Sequence, residues 1–211
     1  MIKSVIQNKP KFFLILTLIL IGILILFGLG YFLWHRGYFD SGKDGARKVK
    51  CDALHFNDTW EGEIYVDCNL VIPKGVTLTI KPGTVVKFRY DRDYKTFHRG
   101  GLYVDGGTVK AIGEADKQIW FTSAAKEPIN GDWNGININN SSDSEFKYVI
   151  VEYGEMGIEQ FDSKVPVTKS IIRWSNAEGL YAERSEPYFD YNTLYGNGYH
   201  DIALEQYNKN V

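Results

Sequence analysis

The sequence is poor in the residues that build metal and redox centres. Two cysteines, Cys51 and Cys68, and four histidines occur in 211 residues. Two thiols cannot form a four-thiolate zinc site, and His55, His98 and His200 are scattered. No phosphate-binding loop and no nucleophile motif is present. After the first fifty residues no segment carries a helical apolar stripe, which excludes a bundle. Charge of one sign is also short there. Residues 51–211 hold sixteen Lys or Arg against twenty-four Asp or Glu, a net of −8. A domain of that sign repels phosphate backbones, so nucleic acid is excluded as an expected partner.

What the chain does have begins with one long apolar run. Residues 12–34, Phe12 to Trp34, contain no charged residue. Twenty-three helical residues extend about 35 Å, enough for a hydrocarbon core of roughly 30 Å. The run ends in Tyr31, Phe32, Leu33 and Trp34, which suits an interfacial aromatic belt. A cleavable signal peptide would have a shorter apolar core and a small-residue cleavage site. The expected organisation is a cytoplasmic tail over 1–11, a transmembrane signal-anchor helix over 12–34, a polar linker over 35–50, and a domain over 51–211. Basic residues flank both ends of the span. Counted alone, they would keep the C-terminal flank inside. Outside the cytoplasm, Cys51 and Cys68 could close a disulfide worth roughly 3 kcal/mol; two small buried side chains are the plainer alternative.

From Trp60 onward apolar residues alternate in short runs: Ile64 and Val66, Leu70 and Ile72, Leu78 and Ile80, Val86 and Phe88. Turn triplets Asp67–Asn69, Pro73–Gly75 and Lys81–Gly83 separate them. The runs repeat. Ile136, Ile158, Leu180 and Ile202 stand 22 residues apart, the first three after Gly135, Gly157 and Gly179. Ile138, Gln160, Ala182 and Leu204 keep the same interval, as do Ile150, Ile172 and Leu194. Earlier, Ile64 and Val66 lead to Val86 and Phe88 and then to Val109 and Ala111, while Leu78 and Ile80 lead to Leu102 and Val104. A repeat of this length is one coil of an all-β solenoid, whose strands pair with those of the next coil about 4.8 Å away. Glycine at each coil would mark a bend with unusual dihedrals. Ser170 and Asn192 are expected inward at a bend, hydrogen-bonded along the stack.

The stretch NLVIPKGVTLTIKPGTVVKF, followed by GGLYVDGGTVKAIG, IWFTS and GDWNGI, resembles the opening of right-handed parallel β-helix repeat proteins of the pectate-lyase-like superfamily. The later EYGEMGI and NTLYGNGYHDI resemble further coils. The resemblance covers roughly residues 60–211. It implies a right-handed parallel β-helix displayed outside the cytoplasm, which outweighs the flanking charges. It implies no particular activity, because adhesins and carbohydrate-active enzymes share the architecture.

Enzymes of this group place carboxylates, or acid-bound calcium, on the outer face. One acid pair stacks at 22 residues: Glu183 and Glu205, outward and roughly 5 Å apart at coil spacing. It could share a proton or hold a cation such as Ca2+; two glutamates splayed into water are the plainer outcome. Asp162 with Arg184, and Glu178 with His200, stack as well. Sugar binding without catalysis needs exposed aromatic faces. Trp174 and Tyr199 are candidates on the coils. Tyr94 and His98 are candidates on the segment Arg89–Gly100, which interrupts the coils and should project as a loop. Trp133 reads as structural. The resulting expectation is a non-catalytic surface module for interaction or envelope structure, with polysaccharide as a candidate ligand. A polysaccharide lyase or hydrolase is the alternative. The repeat runs to Asn208 without a capping segment, so a further expectation is self-association through that coil, or more coils in a longer chain.

Overall fold

The computed structural model describes residues 39–41, 45–49, 53–93 and 98–205. The expected span over 12–34 lies outside the described residues, as do Cys51 and Tyr94. Among the described residues there is no helix, and none long and apolar enough to cross a membrane.

Short alternating runs form strands because each presents every second apolar side chain to one side. Among the described residues twenty strands assemble into three sheets. Sheet I holds Phe39–Ser41, Arg47–Val49, Glu63–Val66, Val85–Phe88, Ile119–Ser123, Val149–Glu152, Ile171–Arg173 and Thr193–Tyr195. Sheet II holds Asn69–Pro73, Gly101–Asp105, Ile136–Asn139, Ile158–Phe161, Leu180–Glu183 and Ile202–Glu205. Sheet III holds Asp58–Trp60, Thr77–Ile80, Thr108–Ile112, Glu145–Lys147, Pro166–Thr168 and Tyr188–Asp190. The chain visits I, II and III in turn. Among the described strands every pairing between coils is parallel; Phe39–Ser41 runs antiparallel, against Arg47–Val49, and isolated antiparallel bridges join Pro73 to Gly106 and Glu114 to Lys117. The architecture is therefore a stacked parallel β-solenoid. Its first parallel strand, Arg47–Val49, comes from the stretch expected as linker.

Inward residues pile into columns. Leu70, Leu102, Ile136, Ile158, Leu180 and Ile202 form one, and Ile72, Val104, Ile138, Gln160, Ala182 and Leu204 another. The core of the stack is almost wholly excluded from water. Gln160 is tolerated inside because it bonds both backbone groups of Val165, at 2.8 and 3.1 Å. Ile202 and Leu204, in the last described coil, are exposed.

Three expectations of register are corrected. Val86 and Phe88 pair with Phe121 and Ser123, not with Val109 and Ala111, which continue Leu78 and Ile80 in sheet III. Leu102 and Val104 continue Leu70 and Ile72 in sheet II, not Leu78 and Ile80. The cause is the insertion of Arg89–Gly100 between sheets I and II, which shifts everything after it by one strand's worth of spacing. The third concerns Ile150. It pairs with Ile171 and points outward, while Val151, Ile172 and Leu194 form the inward column. That coil is one residue short, and a one-residue slip changes the face.

The expected glycine bend is present at Gly135, with φ of 96°, but most corners are built differently. Left-handed backbone occurs at Asn140, Asp162 and Arg184 after sheet II, at Tyr148, Lys169 and Tyr191 before sheet I, and at Tyr153 and Trp174 after it. Each costs a non-glycine residue about 1–2 kcal/mol. Polar ladders hold these corners. Ser141 N donates to Ser163 Oγ at 3.1 Å, and Ser163 N to Ser185 Oγ at 3.0 Å. Ser170 N donates to Asn192 Oδ1 at 3.0 Å, as the sequence led us to expect. Gly157 and Gly179 do not have positive φ. They are required by close approach: a Cβ on Gly157 would strike the carbonyl oxygen of Gly179 in the next coil.

These two roles separate under substitution. Gly157→Ala should lower stability by about 1–3 kcal/mol through overpacking. Exposed Tyr191, with φ of 54°, loses its strain as glycine at some cost in chain entropy, so Tyr191→Gly should lie between neutral and about 1 kcal/mol stabilising. Urea unfolding of both variants checks the contrast.

Candidate functional site

The solenoid interior is filled, so any binding chemistry sits on an outer face or in the turns. Sheet II carries the most distinctive outer face. Its outward positions form two columns. One runs Val71, Tyr103, Asn137, Glu159, Tyr181, Ala203; the other runs Pro73, Asp105, Asn139, Phe161, Glu183, Glu205. A shallow recess of about 410 Å³ is lined by Asn69, Val71, Tyr103, Asp105, Asn137 and Asn139. Aromatic and amide groups along an open recess supply flat apolar contact with directional hydrogen bonds beside it.

The face is acidic beyond the recess. Asn137 Nδ2 donates to Glu159 Oε2 at 2.7 Å. Burial raises the Glu159 carboxyl above the ordinary carboxylate range. The Asn137 bond acts in the opposite sense, and nearby Glu178 and Glu155 add to the rise. Phe161 and Tyr181 pack with ring centroids 5.7 Å apart. The Tyr181 hydroxyl donates to Glu183 at 3.3 Å. Burial first, then Glu205 and Glu183, push its phenol up to about 12. Glu183 also pairs with Arg184, which in turn holds Asp162 across one coil at 2.9 Å.

The turns from sheet I to sheet II flank this face. Two of them carry insertions: Val86 to Phe121 and Phe121 to Val151 span 35 and 30 residues, against 22 from Ile172 to Leu194. Asp132, almost fully buried, pins the insertions together. It accepts from Ser123 Oγ at 2.7 Å, Ile129 N at 3.1 Å and Arg92 Nε at 2.8 Å. Arg99 reaches Glu155 at 2.7 Å, and Asn176 Nδ2 donates to the same carboxylate at 2.8 Å. A recess of about 310 Å³ lies among Asp91, Arg92, Arg99, Asn130, Glu155 and Asn176.

The residues singled out from sequence fall in different places. Glu183 and Glu205 are direct cross-coil partners on the sheet II face. Trp174 is half-buried at the corner after sheet I. It stacks on Tyr153 with centroids 5.1 Å apart, and the Arg173 guanidinium lies 4.0 Å over its ring. Arg173 is fixed by Glu152 at 2.6 Å, so this aromatic group is committed to packing. Tyr199 is exposed in the turn leading to Ile202–Glu205, and His200 beside it meets Glu178 at 3.5 Å. His98 is exposed, its backbone N–H held by Asp91 at 2.8 Å. Tyr94 lies outside the described residues. Trp133 is buried, stacked on Phe88 at 4.1 Å with its Nε1 donating to the Glu152 carbonyl at 2.8 Å. Cys68 is half-buried against the core, and its expected partner Cys51 is outside the described residues. Among the described residues no group of three His, Cys, Asp or Glu gathers to hold a metal ion.

Sequence reasoning missed Asn137, Glu159 and Tyr181, and Phe161 beside them. The signal was present: Asn137, Glu159, Tyr181 and Ala203 stand at the same 22-residue interval as the inward columns. Tyr103 was hidden, because the second insertion places it 34 residues before its partner Asn137.

Glu159 gives a pH signature. A carboxyl whose folded value is raised contributes stability that is full below its unfolded value and is lost as pH rises through the folded one. The Glu159 contribution to stability should therefore be lost as pH rises beyond the ordinary carboxylate range, and Glu159→Gln should remove that loss. Urea midpoints measured from within that range to above it report it.

Comparison with models of protein families, with curated proteins and with solved structures finds no match, so the chemistry of this face is argued from its own residues.

Proposed function

We propose that the chain displays a right-handed parallel β-helix outside the cytoplasm on a single N-terminal membrane helix, and that the outer face of sheet II binds polysaccharide without turning it over. The observation that carries the binding reading is the face itself. Tyr103, Phe161 and Tyr181 alternate with Asn137, Asn139 and carboxylates along a continuous strip of stacked strands. Such a strip matches an extended polymer with apolar ring faces and many hydroxyls. The uncharged run over 12–34 supports the anchor. Right-handedness follows the strong preference of parallel crossover connections.

The non-catalytic reading rests on how the acids are used. Glu183 is engaged by Arg184 and by the Tyr181 hydroxyl. A glycosidase instead keeps two carboxyl groups at defined separation across an open scissile bond. The adjacency of Glu183 and Glu205 favours a lyase or hydrolase as the second reading, and turnover decides between them.

The full chain, purified in mild detergent, should bind immobilised polysaccharide without releasing reducing ends or unsaturated products, with or without calcium. Tyr103→Ala should weaken binding about tenfold, a loss of about 1.4 kcal/mol. Turnover that disappears in Glu183→Ala would overturn the reading in favour of an enzyme. A reporter that folds only outside the cytoplasm, fused after Val211, should be active in cells; an inactive reporter reverses the orientation.

A further inference from the structure

The three outer faces differ sharply in charge. Sheet I presents Lys48, Lys87 and Arg173 together with Glu63 and Glu152 at outward positions, and sheet III presents Lys110 and Lys147 together with Glu145 and Asp190, so both faces are close to neutral. The outward positions of the six sheet II strands hold Asp105, Glu159, Glu183 and Glu205 and no lysine or arginine. Basic residues border the face without standing on it: Lys74 follows Pro73 beside Asp105 and Gly106. Arg99 is bound to Glu155 at one edge, and Arg184 to Asp162 and Glu183 at the other. Glu155 and Glu178 approach Glu159 from the flanking turns and add negative potential.

The acids are also spaced along the stack. Asp105 lies two coils from Glu159, Glu183 one coil beyond Glu159 in the neighbouring column, and Glu205 one coil beyond Glu183, so carboxylates recur along the strip in steps of roughly 5–10 Å at a coil spacing of about 4.8 Å. Between them sit the amide and phenol groups of the recess. A small cation would meet at most the adjacent pair Glu183 and Glu205. A chain with an ammonium on repeated sugar units meets several at once, with its ring faces against Tyr103, Phe161 and Tyr181. A polyuronate would instead set carboxylate against carboxylate on a face without a base.

We infer that the sheet II face is selective for a polycationic glycan, an amino-sugar polymer with free ammonium groups, over neutral and uronate polymers. The inference rests on the polysaccharide reading above. Burial of Glu159 agrees with it, since a half-buried carboxylate gains more from an incoming ammonium than one already in water.

The test compares four conditions for the full chain in detergent: a beta-linked glucosamine polymer, its fully N-acetylated form, a polyuronate, and the polyuronate with calcium. The glucosamine polymer should bind at least tenfold more tightly than the N-acetylated form, and raising the salt should shrink that margin. Combining Glu159→Gln with Glu183→Gln should bring the two affinities together by weakening the glucosamine polymer more than the N-acetylated form. Replacing acids on sheet III, Glu145→Gln with Asp190→Asn, should leave the margin intact, which separates this face from general attraction to an acidic domain. Equal binding of the two polymers, or tighter binding of the polyuronate in either condition, overturns the selectivity while sparing the polysaccharide reading. Binding of none of the polymers overturns both.

Discussion

Parallel pairing between successive coils is the constraint on which the rest of this molecule depends. In a parallel stack each residue lies directly over its counterpart one coil away, so each position must be compatible with its own repetition. Apolar positions satisfy this by forming columns such as Ile136, Ile158, Leu180 and Ile202. Corners satisfy it by stacking one left-handed residue on the next, with serine or asparagine closing the backbone between coils. The glycines before sheet II satisfy it by absence, because the carbonyl of the following coil occupies the place of a Cβ. A single strained corner would be a net cost. Repeated and hydrogen-bonded in register, the same corner becomes part of the stack's geometry.

That constraint also decides what could be read from the sequence. From Ile136 onward the coils keep a nearly fixed length, and spacing alone identifies the inward columns, the Ser170–Asn192 contact and the Glu183–Glu205 adjacency. Before Ile136 two insertions break the interval. Alternation still marks each strand there, but which strand pairs with which depends on a length the pattern does not reveal. Val109 and Ala111 look like successors of Val86 and Phe88 for that reason alone. Ile150 shows the same limit at its finest scale: one missing residue turns an apolar side chain from the core to the outside. It is covered there all the same and stays buried. The corner chemistry was less legible. Asn140, Asp162 and Arg184 share no chemical feature, and their common backbone conformation follows from the turn and not from the residue type.

The same logic separates scaffold from surface. Trp133 reads as structural and Trp174 as an exposed candidate in the sequence, yet both are committed to packing: one is stacked inside on Phe88 and the other lies between Tyr153 and Arg173. An aromatic residue placed in a turn is commonly recruited to seal that turn. One placed at an outward strand position has only its neighbours one coil above and below, so it keeps a face to solvent. Tyr103, Phe161 and Tyr181 belong to the second kind. Their backbone is fixed by pairing on both sides, which limits the ordering cost that binding would add.

The choice among three outer faces follows from how each is already occupied. On sheet I, Arg173 lies over Trp174 and is fixed by Glu152 and by the Tyr195 hydroxyl at 2.7 Å, with Thr122 donating to the same Glu152 at 2.8 Å. That face spends its aromatic and charged groups on one another. On sheet III Lys147 leans over Tyr148 at 5.9 Å, as Lys169 does from the adjoining corner at 5.6 Å, and threonines fill much of the remainder. Sheet II alone carries carboxylates at outward positions with no base among them, while the inserted turns rise along one of its edges. Like charge along a rigid strip, offset at Glu183 by Arg184, opposes folding slightly, and nothing in stacking requires it, because neutral residues would pair as well in those columns. A face that keeps this repulsion is better explained by what it attracts than by what it holds together.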